Sequence, residues 1–111
     1  MVRVTVLEKL SFPYGYIIIV VRYLKWRRER YGNASMCFTY EGIFSWVQRQ
    51  QEYRDIARTT IERQIRELAR LGYLKRVRER PRALFCVNTE KVRELLRSVS
   101  KMYDVDWEVW E

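Results

Sequence analysis

The chain has 111 residues, the size of one compact domain, and 48% of them are hydrophobic, a fraction far too high for a disordered chain. The charge balance is strongly basic, with 22 Lys and Arg against 14 Asp and Glu and a net charge of +8. Such an excess favours polyanionic partners such as nucleic acid or an acidic membrane surface. The sequence has no histidine, which excludes triads with a histidine base, histidine-ligated zinc and imidazole pH switches.

The cysteine content and the apolar runs exclude further classes of protein. Cys37 and Cys86 are too few for a zinc cage or a disulfide-rich scaffold. The longest apolar run, residues 16–21, is too short to cross a bilayer, and basic residues follow it where a signal peptide has a cleavage site. We therefore expect a soluble cytoplasmic protein with no membrane partner, cofactor or metal. Because the carboxylates are scattered and no glycine-rich phosphate loop is present, we expect no enzymatic activity.

The first predicted helix covers residues 14 to about 30. Its first half is apolar on every side and must be covered on more than one face. We favour a central core helix, the alternative being a helix shared in a dimer interface. Its second half is cationic, with five basic residues against Glu29: Arg22, Lys25, Arg27, Arg28 and Arg30. For these residues we favour solubility and internal ion pairs over contact with backbone phosphates.

A short strand and a second helix follow the turn at Gly32 and Asn33. The strand is predicted over residues 36–40, and Thr39 or a neighbour caps a helix over residues 41–52. The side chains expected to face inward from this helix are Ile43, Phe44, Trp46 and Val47.

The clearest pattern predicts a helix over about residues 56–71. An apolar face with the 3.6-residue period ends at a glycine stop: Ile61, Ile65, Leu68 and Gly72. The opposite face carries Thr59, Arg63, Arg66 and Arg70. Because Ala57 stands where a Ser or Thr cap is common, Asp55 is expected to cap the helix, which would then begin earlier.

Residues 73–78 and 83–88 predict the two strands of a basic hairpin, joined by a turn that Pro81 stiffens. Glu79 opposes anion binding in this hairpin, so we expect it to point away or to pair with an arginine.

A last helix begins at Thr89, capped by Asn88 or Thr89, with an apolar stripe of Val92, Leu95, Leu96, Val99 and Tyr103. The alternating segments 2–6 and 105–109, opposite in flanking charge, predict that the two ends pair as strands, within one chain or exchanged between two chains.

The helix and hairpin together resemble winged helix-turn-helix transcription regulators. The resemblance is carried by residues 60–74, in which a Thr, an aliphatic residue, an Arg and a spaced Ile and Leu precede Gly72-Tyr73-Leu74. It covers roughly residues 14–100. The implied fold is α+β: a three-helix core, a β-hairpin wing and a C-terminal helix in a single domain, 1–111. The small size and Arg/Glu richness also resemble winged-helix proteins of hyperthermophilic archaea and their viruses, which would place the protein in the host cytoplasm if it is viral.

The resemblance implies sequence-specific binding of double-stranded DNA by a homodimeric transcription regulator on a two-fold site. The recognition helix would enter the major groove, with Thr hydroxyls and Arg forks on bases or phosphates: Arg58, Thr59, Thr60, Arg63 and Arg66. The wing, residues 73–88, would follow the backbone or the minor groove through Arg76, Arg78, Arg80 and Arg82. The first helix, the last helix or both would form the dimer surface. Two alternatives stay open: a module that binds a partner protein, and an RNA or single-strand binder.

In a winged-helix fold the strands that hold Cys37 and Cys86 are neighbours in a small sheet. We therefore expect their Cα atoms within about 10 Å of one another, because disulfide-competent and paired-strand cysteines lie closer than that. Two reduced, buried thiols are the favoured state of this pair. A disulfide is the alternative.

Overall fold

The structure, a computed structural model, describes residues 14–100, the last three of them by their backbone alone. Its elements in chain order are α1 Gly15–Tyr31, β1 Cys37–Thr39, α2 Tyr40–Gln48, α3 Arg58–Arg70, β2 Leu74–Arg78, β3 Leu84–Val87 and α4 Thr89–Ser100. The described chain is therefore an α+β fold, with four helices and one three-stranded antiparallel sheet. This order is compatible with a winged helix without being specific to it.

α1 runs through the centre of the core. Its apolar first half is buried within the single chain, and Ile17 and Ile19 are each 1% exposed. The prediction of a central core helix is confirmed. The alternative, a helix shared in a dimer interface, is not needed to cover this apolar half, because residues of the other helices and of the sheet belong to the same buried cluster. Gly32 ends α1 with φ 69°, and its N–H bonds the Arg28 carbonyl at 2.9 Å.

α2 begins as predicted but is shorter. Thr39 Oγ1 accepts a hydrogen bond from the Gly42 N–H at 3.1 Å, which confirms the cap. Of the expected inward-facing residues, Ile43, Trp46 and Val47 are buried, and Phe44 is half-buried. The helix ends at Gln48 instead of residue 52. The reason is Tyr53, which is 4% exposed and whose ring centroid lies 6.2 Å from that of Trp46, so the chain must turn inward before it.

α3 begins at Arg58, later than predicted, and the expected Asp55 cap is wrong. Its N-cap residue is Ala57, in an extended conformation and with no side-chain cap. The Ile56 N–H bonds the Tyr53 carbonyl at 2.9 Å, so this stretch forms a turn that cannot extend the helix backwards. The predicted apolar face is confirmed: Ile61, Ile65 and Leu68 are 0–1% exposed.

The sheet has the order β1-β3-β2, with both pairs antiparallel, as the predicted strand neighbours require. Phe38 and Phe85 are paired in register and buried, so this face of the sheet closes the core. A bulge between Arg76 and Arg78 interrupts the pairing of β2 with β3.

Cys37 and Cys86 are directly opposed across β1 and β3. Their Cα atoms are 4.0 Å apart, which confirms the expected proximity. The favoured state of two reduced thiols is wrong, since the two residues form a disulfide. The strands approach more closely here than the roughly 4.5 Å of an ordinary narrow pair, which brings the two sulfur atoms into bonding range.

α4 and the residue before it contact the segment that joins α3 to β2: Lys91 Nζ donates to the Leu71 carbonyl oxygen at 2.6 Å, and Asn88 Nδ2 donates to the Gly72 carbonyl oxygen at 3.1 Å. Asn88 Oδ1 accepts from the Lys91 N–H at 3.3 Å, in agreement with the predicted cap, and Val92 and Leu96 are each 1% exposed. The side chain of Val99, the residue Tyr103 and the predicted pairing of the two chain ends lie outside the described residues. Within residues 14–100, no helix is both long enough and apolar enough to cross a membrane.

Candidate nucleic-acid interface

The solvent face of α3 presents three of the predicted contact residues. Thr59, Arg63 and Arg66 are exposed, and Thr60 is half-buried. Within residues 14–100, neither Arg63 nor Arg66 forms an ion pair with a carboxylate. Because the opposite face of the helix is held in the core, both guanidinium groups project outward on a rigid element.

Arg58 is engaged within the protein. Its Nε lies 3.0 Å from Glu62 Oε1, and its terminal nitrogen lies 3.4 Å from Glu41 Oε1 on α2. Its guanidinium carbon is 5.6 Å from the centroid of the Phe44 ring. Arg58 was predicted as a contact residue, and the structure places it as a link between α3 and α2 whose charge two carboxylates balance.

Arg70, on the same helix, is also neutralised internally. Its Nε lies 2.9 Å from Glu67 Oε1, and a second nitrogen approaches the same oxygen. The hydrogen bond with Arg70 lowers the pKa of Glu67, and the same bond raises the pKa of Arg70. The arginines of α3 thus divide into two with carboxylate partners and two without them.

Arg63 lies within electrostatic reach of the start of α1. Burial raises the pKa of the Tyr16 hydroxyl, and the positive charge of Arg63 acts in the opposite direction. Tyr16 is 4% exposed, so the hydroxyl near Arg63 is held by the core.

The arginines of the hairpin also differ in whether they have a partner within the protein. Arg76 Nε is 3.8 Å from Glu79 Oε1, which confirms that Glu79 pairs with an arginine. Arg78 Nε donates to the Arg82 carbonyl oxygen at 3.2 Å, across the turn. Among the described residues, the guanidinium groups of Arg80 and Arg82 have no carboxylate partner.

Comparison with known protein families, with curated proteins and with solved structures finds no match for this chain. In the described part of the chain, no group of three or more Cys, Asp and Glu side chains lies together in a way that could hold a metal ion.

Lys75 is an exposed cation that the predicted set omits. It follows the buried Leu74 on β2, so the alternation of a strand places it on the outer face of the sheet. It has no ion-pair partner among residues 14–100. Its signal in the sequence is the alternation of the buried Leu74 with the charged Lys75 directly after the glycine stop at Gly72.

The predicted cationic run at the end of α1 has internal partners at two positions. Arg22 pairs with Glu52 at 3.1 Å, and Arg27 donates to the Ser35 carbonyl oxygen at 2.6 Å. These contacts agree with the preference for internal pairing in this run. Among residues 14–100, the cations of the candidate interface that have no carboxylate partner lie on α3 and on the hairpin that follows it directly: Arg63, Arg66, Lys75, Arg80 and Arg82.

Proposed function

We propose that the chain is a winged-helix transcription regulator that binds double-stranded DNA in a sequence-specific manner. The observation that supports this proposal is a difference among the arginines of α3. Arg63 and Arg66 have no carboxylate partner in the described chain, whereas Arg58 and Arg70 do. Binding of a phosphate or a guanine edge by Arg63 or Arg66 breaks no internal ion pair. Such groups are the ones that can gain most from an anionic ligand.

Arg63 and Arg66 are three residues apart on a helix and share one face. Their planar forks match the O6 and N7 acceptors of guanine in the major groove. Thr59, one turn earlier, offers a hydroxyl for a base or a phosphate. In this proposal α3 is the recognition helix, and the β2–β3 hairpin follows the backbone or minor groove through Arg80 and Arg82.

We further propose that two copies act together on a two-fold site. One small domain has few phosphate contacts, and joining two half-sites multiplies the affinity without new contacts. The apolar half of α1 and the α4 residues Val92 and Leu96 are buried within the single chain, so the proposal keeps the exposed faces of the first helix, the last helix or both as the dimer surface. It includes no catalytic role, and it places the protein in the cytoplasm together with its DNA.

The test is fluorescence anisotropy with duplex DNA, single-stranded DNA and RNA over a series of salt concentrations. Duplexes selected from a random library supply the specific site. A tight duplex complex whose affinity falls steeply with salt supports the proposal. A preference for RNA or single strands contradicts it, and so does the absence of any nucleic-acid binding, which would favour a module for a partner protein.

A further inference from the structure

A row of three side chains crosses the outer face of the sheet. Cys86 on β3 is opposed to Cys37 on one side and to Lys75 on the other. Directly opposed residues of antiparallel strands point to the same face, with Cβ atoms about 4.5–5.5 Å apart. Lys75 is therefore the residue next to the disulfide on the β2 side, on the same face of the sheet.

The same row borders an open groove of about 500 Å³ between the end of α3 and the hairpin. Lys75 and Cys86 line it together with the apolar residues Ala69, Leu74 and Val87. Both cysteines are half-buried. A small reagent can thus approach the disulfide from the Cys86 side without unfolding the sheet.

We propose that the Cys37–Cys86 disulfide is a thiol–disulfide exchange site for a dithiol reductant, with Lys75 as its positioning residue. One thiolate of the reductant attacks Cys86 Sγ from the groove. The bond between the two cysteines breaks, and Cys37 leaves as a thiolate that takes up a proton. The product is a mixed disulfide between Cys86 and the reductant.

The second thiol of the reductant completes the reaction. As a thiolate it attacks the reductant's own sulfur in the mixed disulfide, and Cys86 leaves as a thiolate. The reductant is oxidised to a disulfide, and the protein gains two electrons and two protons. The Lys75 ammonium attracts the anionic attacker in the first step and stabilises the departing Cys86 thiolate in the second.

The structural consequence is that β1 loses its covalent link to β3. β1 leads directly into the Thr39 cap of α2, so the covalent tie joins the hairpin to the start of that helix. After reduction only hydrogen bonds and side-chain packing hold these elements together. The exchange site does not depend on DNA binding, and a chain that fails to bind duplexes would leave it intact.

The experiment follows the appearance of thiols in the oxidised full chain under native conditions, by maleimide labelling and mass spectrometry. The reductants are dithiothreitol, the anionic thiol 2-mercaptoethanesulfonate and the cationic thiol cysteamine. The variant is Lys75→Gln, and the matched control is Arg82→Gln, which removes a cation from the same hairpin but outside the row. Equal urea midpoints for the three oxidised proteins establish that the rates are compared on one fold.

We expect the wild type to be reduced faster than it unfolds and to prefer the anionic thiol. Lys75→Gln should slow the anionic thiol roughly 3- to 10-fold, as the loss of one nearby charge in a partly hydrated setting requires, and should hardly change the cationic one. Arg82→Gln should keep the wild-type rates. Reduction that proceeds only at the rate of global unfolding overturns the proposal. Equal effects of the two substitutions also overturn it.

Discussion

Lys91 Nζ lies 2.6 Å from the carbonyl oxygen of Leu71, the C-cap residue of α3. The same ammonium is 4.8 Å from the centroid of the Tyr73 ring, where the hairpin begins. A cation at this place meets the partial negative charge of a helix C-terminus. α4 thereby holds the end of the proposed recognition helix and the start of the hairpin together.

Lys91→Met should lower the free energy of unfolding by about 1–2 kcal/mol, because a hydrogen bond from a charged group to a partly buried carbonyl is lost. The measurement is urea unfolding followed by circular dichroism. Arg93→Met, on the same helix, is the control and should change stability by less than about 0.5 kcal/mol. Equal losses in both variants would contradict the role given to Lys91.

Arg63→Ala and Arg66→Ala should each weaken binding to the selected duplex by about 1–3 kcal/mol and relax the choice of base at one position. Each removes an unpartnered guanidinium from the exposed face of α3. Arg70→Ala is the matched control on the same helix, because that guanidinium is already paired with Glu67. Anisotropy titrations with the selected site and with single-base variants measure both effects. Wild-type affinity in the Arg63 and Arg66 variants would remove the basis of the DNA-binding proposal.

Arg80→Ala should weaken all duplexes to a similar extent and reduce the salt slope of binding by about one, as expected for one lost phosphate contact. Glu79→Gln, beside it in the turn, removes a charge of the opposite sign and should not weaken binding. The slope is obtained from affinities at four or more salt concentrations. A sequence-dependent loss in Arg80→Ala would mean that this residue contacts base edges instead.

Replacing both cysteines by serine should lower the free energy of unfolding by up to about 4 kcal/mol, the chain-entropy value for a loop of this length. The disulfide joins residues 49 positions apart and closes a large loop, so the unfolded chain gains conformational entropy when the bond is absent. Urea unfolding of the oxidised wild type, the reduced wild type and the double variant gives the comparison. The last two should agree with each other, and three equal midpoints would contradict the expected stabilisation.

Stability should change little between about pH 6 and 9, because the sequence has no histidine, and should fall above about pH 10. Burial raises the pKa of Tyr16 and of Tyr73, so the folded protein keeps protons that the unfolded chain releases near its ordinary tyrosine pKa. Rising pH then favours the unfolded state. Tyr16→Phe should flatten this decline, whereas Tyr31→Phe should not, because Tyr31 is 67% exposed. Urea midpoints from pH 8 to 11.5 test this, and identical slopes in all three proteins would contradict it.

The order of elements could be predicted because its signals are local. The 3.6-residue apolar spacing from Ile61 to Leu68 marks α3, and Gly32 stands at the positive φ that ends α1. The last residue of α2 and the first residue of α3 could not be predicted in the same way. They depend on the burial of Tyr53 against Trp46, which is a tertiary contact with no local pattern.

In the candidate site, too, the features with local signals could be predicted and those that depend on tertiary contacts could not. That α3 and the hairpin carry the exposed cations follows from periodicity and composition. Which arginines are neutralised depends on partners such as Glu41, which is 17 residues away from Arg58 along the chain. Strand pairing predicted that Cys37 and Cys86 are neighbours, but their bonding depends on how closely the two strands approach.

The disulfide also makes a ring of the chain between Cys37 and Cys86, and this ring holds α2, α3 and β2. A force applied at the two ends of the protein passes through the sulfur bridge and bypasses the ring. Single-molecule stretching of the oxidised protein should therefore leave roughly 160 Å of extended backbone hidden, the length of the enclosed segment. Only reduction would release that length. The part of the molecule that carries Arg63 and Arg66 is thus shielded from tension as long as the bridge is closed.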